Sequence, residues 1–168
     1  MVDSAIRPAF RSWPKYNSLI REAVRGLSAE QLAFQPSPER WPFWASVGHM
    51  ACQRVSGLCG LVGERGAEST PFPNALFNCP GDEDLDHVLT ADDLVHALDS
   101  TFAIIERCLD TWAIDTLDNE IRRSFGAEEI VFTRGSILQR TLAHDLTHIA
   151  EVNEILRLLE LPGIALWD

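Results

Sequence analysis

The sequence lacks any uninterrupted apolar stretch long enough to span a bilayer, which excludes a membrane-spanning helix. Its first residues, Met1-Val2-Asp3-Ser4-Ala5-Ile6-Arg7-Pro8, lack the apolar run of a signal peptide. Cysteine is sparse, with residues at 52, 59, 79 and 108 and no C-x-x-C pair. Without a secretory signal, these four are expected to be reduced thiols in a cytoplasmic protein. A basic patch is also missing. Arg122-Arg123 is only a pair, and 14 basic against 25 acidic residues give a net charge of -11. That balance repels phosphate backbones and argues against nucleic acid as a partner. Internal repeats and low-complexity linkers are absent, so the reading is one domain over 1–168. With 46% apolar and 23% charged residues, the chain has the composition of a globular protein able to bury a real core.

What is present is helical periodicity in four segments. Residues 12–27 carry an apolar stripe of Trp13, Tyr16, Ile20, Ala23, Val24 and Leu27. Ser28-Ala29-Glu30-Gln31 has the pattern of a capping box that opens a further short turn. A second helix is predicted over 42–62, starting at Pro42 and stopping before Gly63 and Gly66. Phe43, Val47, Ala51, Leu58, Leu61 and Val62 form one of its faces. His49 points nearly the opposite way, among the small residues Ala45, Cys52 and Ser56. One such face can line a pocket while the other packs in the core or against a second subunit. Residues 71–86, rich in Pro, Asn, Gly and Asp, read as a long loop bordering a functional site. A third helix opens at Thr90-Ala91-Asp92-Asp93 and buries Leu94, Leu98, Phe102, Ile105, Leu109 and Trp112. Residues 120–133 suggest a small hairpin turning at Gly126-Ala127. The fourth helix is predicted over 136–160, ending before Pro162-Gly163.

The chemistry concentrates in His144-Asp145-Leu146-Thr147-His148. Imidazoles at i and i+4 lie above one another on one helical face and can share a metal ion. Both project at the edge of the apolar stripe, where an unpartnered ring nitrogen is costly and a metal meets the demand. A third histidine, His49, sits on the second helix. Three histidines from two helices would hold a divalent ion and leave positions open for water or substrate. His87 and His96 read as solvated surface residues. The segment also resembles the H-E-x-x-H of zinc proteases, but Asp145 is one methylene shorter than Glu, and no histidine follows His148. Cys52, one turn from His49, reads as a small core residue, or as a fourth ligand that would close the site. Asp145 is expected to pair with an arginine or to orient a histidine. Glu151, one turn past His148, could contact a ligand, act as a base or approach the metal.

Several landmarks, in order, resemble the DinB-like (YfiT-type) metalloenzyme superfamily, which is unrelated to the DNA polymerase of similar name. They are Leu27-Ser28-Ala29-Glu30-Gln31-Leu32, the stretch Arg40-Trp41-Pro42-Phe43-Trp44-Ala45-Ser46-Val47-Gly48-His49-Met50, the His144–His148 segment, and Gly163-Ile164-Ala165-Leu166-Trp167. The resemblance implies an all-α four-helix bundle with His49, His144 and His148 on one divalent metal, commonly zinc or nickel, and a homodimer. Relatives often read H-R-G-Q-I from the last ligand. Here the segment is His148-Ile149-Ala150-Glu151-Val152, so an activity cannot be carried over from a particular relative.

Three neutral imidazoles leave a divalent metal its full charge, enough to deprotonate water for hydrolysis or a low-molecular-weight thiol for S-transfer. The expected function is therefore a metal-dependent enzyme acting on a small molecule. The competing expectation is a non-catalytic, dimeric metal-binding or stress-associated protein, closed by Cys52 or Glu151.

Overall fold

Helix starts in this chain are set by side chains that satisfy orphaned backbone donors. The hydroxyls of Ser28, Thr90 and Thr133 each accept from the N–H three residues on. In return Gln31, Asp93 and Ser136 accept from the capping residue's own N–H. These boxes open α2 (Ala29–Leu32), α4 (Ala91–Thr111) and α5 (Arg134–Leu158). The fourth predicted helix thus begins two residues early, because Thr133 caps it from the end of a strand. α1 (Trp13–Arg25) has proline in its first turn, and Pro42 is the N-cap of α3 (Phe43–Val55).

The computed structural model describes residues 6–74, 79–81 and 85–167. It is mostly helical, with one antiparallel hairpin of β1 (Glu120–Phe125) and β2 (Glu128–Thr133). The hairpin pairs Glu120 with Thr133 and Phe125 with Glu128, and it turns at Gly126 with φ +64°. The second predicted helix is one continuous element with a change of winding. α3 passes at Ser56 into a π-helical segment, Ser56–Val62, which ends at Gly63 in the left-handed region with φ +89°.

α3 packs against both α4 and α5, and α1 packs against α4. α3 also feeds two apolar clusters. Ala51, Cys52 and Val55 join the one built with Trp13, Ile105 and Leu138, while Phe43, Trp44, Val47 and Met50 join the one with Ile20, Leu98 and Ile149. Every α3 residue except Gln53 is buried. Over α3, both faces read from the sequence are therefore buried within the chain. Among the described residues, no helix is long and apolar enough to cross a membrane.

Five buried side chains tie the helices together through hydrogen bonds. Arg54 of α3 reaches Asp145 of α5 through Nη2, at 2.9 Å, and through Nε, at 3.1 Å to each carboxylate oxygen. Its Nη1 donates to Asn17 of α1 and Thr101 of α4. Trp13 Nε1 donates to Asp145 at 2.8 Å. Both members of the ion pair are about 1% exposed. A charge that far from water must be paired and hydrogen-bonded, and here every long helix contributes.

The cysteines correct the sequence reading. Cys52 and Cys79, 27 residues apart, form a disulfide that fixes residue 79 of the predicted loop to α3. The expectation of four reduced thiols holds only for Cys59 and Cys108. Only the return of the loop onto α3 brings the pair together, and spacing in the sequence does not show that return.

Candidate metal centre

α3 and α5 lie side by side, and their inward histidines meet. The Nε2 atoms of His49 and His144 are 3.2 Å apart, and those of His144 and His148 are 3.1 Å apart. These three residues form a group whose ligand atoms lie close enough to share one ion. Tetrahedral zinc with bonds of about 2.0 Å requires ligand nitrogens roughly 3.3 Å apart, so the spacing fits. The chemistry of the donors fits as well. Burial, reinforced by His148 and His49, pushes His144 down to about 3, so its imidazole is neutral, as a metal ligand must be.

Neighbouring side chains orient the rings. Glu151 Oε2 lies 2.7 Å from His148 Nδ1. That contact places the proton on Nδ1 and leaves Nε2 as the donor to a metal. Trp41 stacks on His148 with an interplanar angle of 13° and lies 4.8 Å from the His49 ring centroid. Gly81, with φ +89°, makes room for Trp41, since a Cβ there would stand 3.0 Å from the indole. Gly48, next to His49, admits Pro80 and Leu89 in the same way. The disulfide and the two glycines therefore hold the described part of the loop against α3 and Trp41.

Two cavities meet the histidines. One, of about 310 Å³, is lined by His49 and His148 with Trp41, Arg40, Ser46 and Glu151. The other, of about 320 Å³, is lined by His144 together with the π-helical segment, β2 and the first turns of α5. Among the described residues, the predicted loop lines neither cavity: the first is walled by residues 36–41 with α3 and α5, the second by the hairpin, the π-helical segment and α5, and 75–78 and 82–84 of the loop lie outside the described residues.

The chain matches the family model of the DinB superfamily over residues 17–152. It belongs to the DinB superfamily. The structure is similar to the crystal structure of a DinB-like protein from Bacillus cereus ATCC 10987, with a TM-score of 0.65 and 15% identity over 93% of this chain and 95% of that one. At that identity the likeness speaks to fold alone. No curated protein matches the chain.

The superfamily member thus brings together His49, His144 and His148. Glu151 stands beside them, bonded to His148. Asp145 does not reach the histidines. Of its two expected roles, the structure shows the arginine pair. Cys52 is removed as a fourth ligand, because its sulfur is bonded to Cys79. Sequence reasoning missed Arg54, although a lone arginine on the same face as Val47 of an apolar helix needs a buried acid, and Asp145 in the stripe of α5 needs a base. It also missed the hairpin as a cavity wall, which only the packing of β2 beside α5 reveals.

Proposed function

We propose that this DinB superfamily protein is a metal-dependent enzyme, its four long helices forming a four-helix bundle around a three-histidine centre. One observation carries the reading: three imidazole Nε2 atoms from two helices converge within 3.2 Å of their neighbours. His49, His144 and His148 would hold one divalent ion, with zinc or nickel favoured by the imidazole set. Such an ion supplies Lewis acidity, which lowers the pKa of a water or a thiol at the site. The chain's own residues do the rest. Glu151 fixes the His148 tautomer and is near enough to the site to take up a proton. Trp41 covers two of the rings and limits water. The adjoining cavities have room for a small molecule.

Hydrolysis and S-transfer by a low-molecular-weight thiol both use this arrangement. The non-catalytic alternative needs a closed site, and it loses Cys52 to the disulfide. A homodimer remains part of the proposal through family membership. Metal analysis of the purified protein tests the central claim. Stoichiometric metal that disappears in His144→Ala/His148→Ala supports it, and its absence from the wild type rejects it. Candidate thiols offered with an electrophile, and separately an ester, then divide transferase from hydrolase. Inactivity toward both, with a fourth protein ligand seen by X-ray absorption, would favour the non-catalytic protein.

A further inference from the structure

The hairpin-side cavity has a composition that selects a ligand. Its walls are largely apolar, with Leu61, Ile130, Phe132 and Ile137 contributing. The polar residues Gln53, Ser56 and Thr141 are uncharged, and among the described residues no carboxylate lines it. Arg140 is the one cationic side chain in that lining. It is exposed and makes no ion pair with any described residue. The arginines at 7, 21, 25, 40, 54 and 122 have their charge answered by acids within the chain, whereas the charge of Arg140 is left to solvent and to whatever enters the cavity.

Arg140 also has a fixed relation to the histidines. It precedes His144 by four residues on α5, so the two side chains share a face about 6 Å apart along the axis. A molecule with its charge on Arg140 and its body along Phe132 and Ile130 has its far end at His144. An anion is favoured twice, by the guanidinium and by the lack of an opposing carboxylate among the described lining residues. A cavity of about 320 Å³ limits the guest to a small molecule.

We propose that this cavity is the binding site for a small organic acid with an apolar body. Arg140 holds the acid's carboxylate, and the opposite end of the molecule is presented to the three-histidine centre. The claim deepens the metalloenzyme reading and rests on it for the role of the histidine end.

The test is equilibrium binding of 3-phenylpropanoate and its neutral analogue 3-phenylpropanamide to the protein as purified, with metal content measured in parallel. The acid is expected to bind roughly fivefold more tightly than the amide, as one partly exposed ion pair allows. Arg140→Gln should bring the ratio to about one without changing metal content. Phe132→Ala should weaken both probes alike. Equal binding of acid and amide by the wild type, or a ratio unchanged in Arg140→Gln, overturns the assignment. Indifference to Phe132→Ala does the same, since the acid then binds elsewhere. If no metal is found but the Arg140-dependent preference persists, the acid site stands while the metalloenzyme reading falls.

Discussion

Arg54 and Asp145 form an ion pair shut away from solvent, and the aspartate is the residue immediately after His144. The pair therefore sets the distance between α3 and α5 at the level where their histidines meet. Asp145 faces Arg54 and Trp13, while His144 turns toward His49. The adjacent side chains serve different ends: one locks the helices, and the other uses the geometry so fixed.

Removing one member of that pair should be costly. Arg54→Met or Asp145→Leu strands a buried charge and is expected to destabilise the fold by about 3–5 kcal/mol. The double replacement should recover much of the loss, because two well-packed apolar groups need no partner. Chemical denaturation of the four proteins closes the cycle. Additive losses would show that the two residues are not coupled.

Glu151 acts through His148. Glu151→Ala is expected to lower metal affinity by about 10–100-fold while leaving the thermal midpoint of the metal-free protein nearly unchanged. Glu151→Gln keeps an oxygen toward His148 Nδ1 and should lose less. Competition with a chromophoric chelator reads both variants.

Acid should weaken the metal-free fold in a particular window. His144 is held neutral, with its pKa pushed from 6.5 down to about 3 by burial and by His148 and His49. The unfolded chain takes up a proton below about 6.5, and the folded chain does not. Stability should therefore be level above that pH and fall as the pH drops from 6.5 toward 3. The slope should be shallower in His144→Gln. Thermal melts of chelated protein across this range measure it, and equal slopes for the two proteins would contradict the assignment.

The thiols should divide two and two. Alkylation of denatured, unreduced protein is expected to label Cys59 and Cys108 and spare Cys52 and Cys79 until a reductant is added. In the native state Cys108 should resist labelling at pH 8, since burial pushes its thiol up to about 12. Mass spectrometry of the labelled peptides counts them. Four labels without reductant would remove the disulfide.

Most of the helical framework is readable along the chain because its signals are local. The stripes from Trp13 to Val24 and from Leu94 to Leu109 repeat at the helical period, and Ser28 and Thr90 carry their capping partners three residues on. The i,i+4 spacing of His144 and His148 places them together before any packing is known. The hairpin is likewise announced by Gly126-Ala127 between two strand-like runs. The change of winding at Ser56 is not, since the π-helical residues Gly57 and Leu58 fit an α-helical pattern equally well. Gly57 sits where a Cβ would touch Ile137 and Thr141 at 3.4 Å, a closeness set by α5 and not by neighbours in the chain.

By itself the sequence determined where the long helices begin to within two residues, which stripes seek the core, and that paired imidazoles on α5 face inward, because these depend on residues within a few positions of one another. Tertiary structure alone decided that His49 meets that pair, that Arg54 meets Asp145 across 91 residues, that Cys79 finds Cys52, and that the hairpin walls a cavity beside His144. Those are contacts between distant segments, and they are fixed by how apolar faces bury against one another rather than by any local preference of the chain.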